Sequence, residues 1–241
     1  AADNVHIMLC NIEANRGMPI EVDPRSADSK QELLDWKEIC GNVFLWDYCI
    51  QFRNLVSPFP NLRVIGPNIR FFVENNVRSL FSQSNREIGG EFSALRGYLM
   101  SKLMWDPYCD EKAVIKEFLD GYYKQAGAYI GRYIDLMHDA LEASGGELNI
   151  FGGPLDCCDT YFTRELFHQY MELFDEAEEA VKSDAEALFR VKTARMPVYY
   201  AAICLGYGTK EELLEMLSKF ASQARKTGLE KVEEWKITTE Q

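Results

Sequence analysis

The residues best placed to do chemistry are polar side chains that cut short apolar runs. The run over residues 5–10 gives way to Asn11, Ile12 and Glu13; Val43-Phe44-Leu45-Trp46 ends in Asp47 and Tyr48; the strand expected over 77–81 ends in Ser82, Gln83 and Ser84. In α/β architectures working residues gather at the C-terminal ends of strands. Two carboxylates on neighbouring ends, Glu13 and Asp47, form a candidate acid/base pair for glycosidic cleavage. The substrate-binding candidates are Trp46, Tyr48 and Gln83 on the strand ends and Arg16, Asn54, Phe59 and Asn61 in the loops beyond, with Gln51 nearby. Amides and an arginine suit hydroxyl recognition, and sugars stack on aromatic faces. A plainer reading stands beside each: Glu13 and Asp47 cap loops or bind arginine, and Trp46 packs in a core. Strand alternation turns Trp46 away from Asp47 and keeps Tyr48 on the Trp46 face.

Other chemistries find little support. His6, His138 and His168 are isolated, without a triad order or an HExxH pair. The seven cysteines include no CxxC, so a structural zinc site is not expected. They read as buried free thiols, apart from Cys157-Cys158 in a polar loop. No GxGxxG occurs, and neither a metal nor a cofactor is expected. A formal charge of −12 disfavours nucleic acid, which needs a basic surface. No apolar run approaches the ~20 residues that span a bilayer. No signal peptide is visible at Ala1-Ala2-Asp3, which reads as the start of a processed or truncated chain.

The elements that must position these residues alternate at first. Ser29 with Glu32 predicts a capping box for a short helix closed near Gly41. Gly66-Pro67 predicts the opening of a second helix, stopped at Asn75-Asn76. A third is expected over 91–104, with Glu91 at its positive end and Phe92, Leu95, Leu99 and Leu103 on one face. This βαβαβα pattern, at roughly 35 to 40 residues per unit, predicts a parallel sheet covered by helices. After Pro107 the strand signals stop. One long helix is expected over 113–143, then a linker over 147–160 and a helix over 163–181. Ser183 with Glu186 predicts the cap of another, kinked or broken at Pro197; Thr209 with Glu212 caps a last one that ends near Gly228. The expected division is 1–107, three strands with helices, and 108–241, helical.

Several segments carry a resemblance: Phe44-Leu45-Trp46-Asp47-Tyr48, Pro58-Phe59-Pro60-Asn61, Gly90-Glu91-Phe92 with Leu95-Arg96, Lys102-Leu103-Met104-Trp105-Asp106-Pro107, and Glu117-Phe118-Leu119-Asp120-Gly121-Tyr122-Tyr123. In this order the chain resembles the DUF4838 family, a group linked to polysaccharide breakdown, over most of residues 4–140. Lys124 stands where that family often has glycine, a change that reads as a surface one. The resemblance implies a relative of α-glucuronidase and β-hexosaminidase-type barrels. It implies the last three β/α units of a glycoside-hydrolase-like (β/α)8 TIM-type barrel with an all-helical extension, and an extracytoplasmic home, periplasmic or secreted, for the parent protein. The general acid of many such barrels lies on the fourth strand, outside these units, so this chain alone is expected to be inactive.

Three parallel strands leave two edges unpaired and one face bare. Expected partners are therefore carbohydrate and either the N-terminal half of the barrel or a second copy, unless the C-terminal helices cover the sheet. The competing expectation is a carbohydrate-binding or scaffold domain without turnover.

Overall fold

The computed structural model describes residues 2, 4–84 and 88–234. Among them three strands, β1 (Ile7–Cys10), β2 (Val43–Tyr48) and β3 (Val77–Gln83), form a parallel sheet in the order β1-β2-β3. The connections between them run through α1 (Ala27–Ile39) and α2 (Leu62–Glu74). Consecutive order means that no strand-order reversal occurs, and all three C-terminal ends emerge together.

In-register residues of neighbouring strands share a face. One face carries Leu9, Val43, Leu45, Val77 and Leu80, which pack with Leu33 of α1 and with Phe71 and Phe72 of α2. The other carries Met8, Phe44 and Ser79 in one row and Cys10, Trp46 and Phe81 in the next. Met8 is 56 % exposed and Phe81 46 % exposed. One face therefore has its helices, while on the other Met8 and Phe81 stay largely exposed among the described residues.

The rest is helical: α3 (Ser93–Trp105), α4 (Glu111–Tyr123), α5 (Gly127–Ser144), α6 (Arg164–Ala180), α7 (Ala185–Leu205) and α8 (Lys210–Thr227). The larger core runs from Tyr48 and Phe59 through α3 to Phe220 of α8, crossing Pro107 without interruption.

Several local expectations need correction. The α1 helix starts at Ala27, so Ser29 lies inside it; Asp23 caps the preceding turn by accepting from the Arg25 amide. Pro67 lies within α2, where it costs one backbone bond, to the Arg63 carbonyl. The helix expected over 113–143 is broken at Lys124, whose φ of 53° and ψ of −124° belong to glycine. After this turn Gly127 packs back on α4: a Cβ there would lie 2.7 Å from the Leu119 carbonyl oxygen, so the close return needs glycine at that position. A glycine at 124 would adopt this conformation without a Cβ penalty, so the backbone there is not indifferent to the lysine. Pro197 neither breaks α7 nor divides it. Asp184, not Ser183, caps that helix by accepting from the Ala187 amide. The Thr209–Glu212 box and the stop at Gly228, with φ of 75°, are present.

Candidate functional site at the strand ends

The parallel register places Cys10, Trp46 and Phe81 side by side, then Asp47 beside Ser82 and Tyr48 beside Gln83. Two groups of side chains form there, on opposite sides of the sheet.

On the helix side Asp47 accepts from Asn11 Nδ2 at 2.8 Å, and its Oδ1 lies 3.5 Å from an Arg16 guanidinium nitrogen. Arg16 is 2 % exposed and is itself anchored on the Asn11 carbonyl at 2.7 Å. Its Nε and second terminal nitrogen are buried without a hydrogen-bond partner. Arg16 therefore lies beneath Asp47, as a positioning residue. The crevice they share with Tyr48, Asn61 and Ser82 holds about 10 Å³, room for one water and not a sugar ring. Glu13, on the turn after β1, is exposed. It leaves the sheet at the same end as Asp47.

On the open side Trp46 stacks on Tyr48, with ring centroids 6.1 Å apart, and meets Phe81 edge-on at 5.2 Å. The Trp46 indole donates to Gln83 Oε1 at 3.0 Å. Tyr48 is buried and shares a 3.0 Å hydrogen bond with Cys10 Sγ. Burial, with that thiol, pushes the Tyr48 hydroxyl up to about 12, so it stays protonated at neutral pH.

Three other sequence candidates are spent on the protein itself. Asn54 donates to the Gly152 carbonyl at 2.7 Å and accepts from Tyr200 at 2.6 Å. Phe59 is 1 % exposed in the larger core. Asn61 donates to the Cys49 carbonyl at 2.8 Å and accepts from Arg96 Nε at 3.2 Å.

Arg96 leads to a cluster that sequence reasoning did not anticipate. Glu91 is not an exposed helix-start carboxylate. It is 3 % exposed and ion-paired at 2.5 Å with Arg96, which is 1 % exposed. The guanidinium also donates to the Glu91 and Phe59 carbonyls. Burial pushes the Glu91 carboxyl up, and Arg96 opposes that shift. Next to it, His138 of α5 accepts from the Leu62 amide through Nε2 and contacts the Ile134 carbonyl through Nδ1. It thereby caps α2, a task that the Asn61 side chain does not perform. The ring is held neutral, pushed down to about 4 by burial. The only available sequence signal was Glu91 and Arg96 five residues apart, which gives no hint of burial.

Two further segments build the rim from the helical half. The α5–α6 loop is bound by the amides of Arg16, Phe52 and Arg53 to the carbonyls of Leu148 and Ile150, and by Gln51 to the Asn149 carbonyl. The stretch after α8 pairs Leu55 with Val232 and Glu234 with Phe52 through the backbone. It brings the Glu234 carboxylate to Gln83 Nε2 at 3.5 Å.

Among the described residues, no group of three or more histidines, cysteines or acids could hold a metal ion, and no helix is long and apolar enough to cross a membrane. All seven cysteines are free.

No curated protein and no solved structure matches the chain. One family model does, described as a domain of unknown function, DUF4838, over residues 1–135. That span holds the whole sheet, α1 to α4, the Asp47 and Tyr48 strand end and the Glu91–Arg96 pair, so the chain belongs to the DUF4838 family.

Proposed function

We propose that the chain is the C-terminal part of a glycoside-hydrolase-like enzyme acting on polysaccharide or oligosaccharide, with its three strands forming part of a TIM-type (β/α)8 barrel. The observation that carries this reading is the strand-end constellation: three parallel strands in consecutive order that bring Trp46, Tyr48 and Gln83 to one end on the open side of the sheet and Asp47 to the same end on the helix side. The open apolar face then corresponds to a barrel interior, closed by further strands beyond β1 and β3 or by a second copy. Carbohydrate is the proposed ligand, in an extracytoplasmic setting.

Asp47 is the proposed working carboxylate, oriented by Asn11 and Arg16. Glu13 is its proposed partner across the strand ends. The test is hydrolysis of a glycan panel by the full-length parent protein and by its Asp47→Asn variant. Loss of turnover in a folded variant supports the enzyme; unchanged turnover removes Asp47 from the machinery.

A second reading, a carbohydrate-binding module without turnover, is favoured by one observation. Only Asp47 of the two acids is held by hydrogen bonds, while Glu13 lies exposed on its turn. Sugar binding without hydrolysis by the full-length protein would select it.

A further inference from the structure

The sheet end has one polar group that no strand supplies. Glu234 lies more than two hundred residues after β1, yet its carboxylate meets Gln83 on the open side of the sheet. Its backbone is tied down independently. The Glu234 amide donates to the Phe52 carbonyl at 3.0 Å, Val232 accepts from Leu55 at 2.8 Å, and Lys231 Nζ donates to the Glu234 carbonyl at 3.3 Å. Glu234 is thus delivered to the rim by backbone pairing, not left there by chance.

Three features define what this corner can hold. The Trp46 indole nitrogen donates to Gln83 Oε1, and Gln83 Nε2 reaches Glu234, so indole, amide and carboxylate form one chain. The contact to Glu234 is long, at 3.5 Å, and a carboxylate has about four lone-pair sites, so among the described residues most of its accepting capacity is unspent. Beside it lie the half-buried Trp46 ring and the exposed Phe81 ring, packed edge to face. An apolar ring surface edged by a hydrogen-bonding amide and carboxylate is complementary to a sugar, whose C–H edge stacks while its hydroxyls donate. A charged acceptor also discriminates. It strengthens hydroxyl donation and repels a second carboxylate, which counts against acidic sugars.

We infer that Glu234, relayed through Gln83 to Trp46, is a ligand-contacting carboxylate of the site, and that it accepts hydrogen bonds from hydroxyls of an uncharged sugar in preference to a uronic acid. This rests on the carbohydrate reading above and specifies its substrate class.

The experiment is calorimetric titration of the full chain with two sets of oligosaccharides, neutral and uronic-acid-containing. It is paired with the NMR signal of the Trp46 indole N–H, assigned by a Trp46→Phe variant. The expected result is binding of a neutral oligosaccharide that shifts this signal, and affinity about tenfold weaker in Glu234→Gln, as for loss of one charge-assisted hydrogen bond. Glu176→Gln, on the exposed side of α6, should bind as wild type does, and thermal melting checks that each variant is folded. Glu234→Asp, which keeps the charge but shortens the reach, should fall between the two. Neutral sugar bound equally well by wild type and Glu234→Gln would overturn the role of Glu234 and leave the carbohydrate reading standing. Preference for uronic-acid oligosaccharides would overturn the substrate class. Failure of wild type to bind any sugar would instead remove the carbohydrate reading, and this inference with it.

Discussion

Two polar clusters, one at the junction with the helices and one at the sheet end, differ in how completely they are satisfied. At the junction with the helices, Arg96 has bonds to Glu91, Asn61 and two carbonyls, and His138 uses both ring nitrogens. At the sheet end, Arg16 has two buried nitrogens without hydrogen-bond partners, Asp47 is partly open to solvent, and Glu13 is exposed. The first arrangement holds an architecture in one state, since any unpaired group there would be desolvated and costly. The second leaves bonding capacity for something else. Burial alone does not separate the two, because Arg16 and Arg96 are equally hidden; satisfaction does.

The strongest way to break this comparison is Arg96→Met. It should remove about 3 to 5 kcal/mol of stability, the cost of stranding a buried carboxylate, as read by chemical denaturation. A loss below about 1 kcal/mol would mean that the junction cluster is no more structural than the rim.

His138 tests the same cluster through pH. Its folded value, about 4, lies below the ordinary 6.5. Between these values the unfolded chain takes up a proton that the folded chain refuses. The stability tied to a neutral His138 is therefore complete above pH 6.5 and is lost as pH falls towards 4. The full loss is roughly 3 kcal/mol. Arg63, Asp135 and Glu142 face the same ring and modulate the shift. Denaturation midpoints should drop with acid more steeply in wild type than in His138→Gln; equal slopes would contradict the neutral cap.

Arg16→Met sharpens the contrast. Since neither its Nε nor the nitrogen that faces Asp47 makes a hydrogen bond, its removal should cost only about 1 to 2 kcal/mol, well under the cost of Arg96→Met, while lowering any activity that depends on Asp47. Glu13→Gln should be the smallest, within about 0.5 kcal/mol of wild type, as for an exposed residue away from packed features. A larger loss would show Glu13 to be engaged.

How much of this was legible differs by element. β1 and β2 were readable as nearly continuous apolar runs, whereas β3 interrupts that pattern with Arg78 and Ser79. The Thr209–Glu212 cap was readable because both partners lie within one turn. The break at Lys124 was not: the helical periodicity of α4 and α5 continues through it, and the turn shows only in the fold, where Gly127 packs back on the Leu119 carbonyl. Gly66-Pro67 read as a helix start because proline favours that position; in the fold Leu62 begins the helix, with its amide satisfied from α5 by His138.

The same division holds for the site. Alternation along β2 was enough to set Trp46 and Asp47 on opposite sides and to bring Glu13, Asp47 and Gln83 to one end, because those relations depend only on strand period and direction. Tertiary structure alone decided that Arg16 is hidden, that Asn54, Phe59 and Asn61 turn inward, that Glu91 is paired in the interior, and that Glu234 reaches the end of β3. Each of these depends on contacts between segments distant in the chain, and local pattern carries no information about which distant backbone will supply a partner.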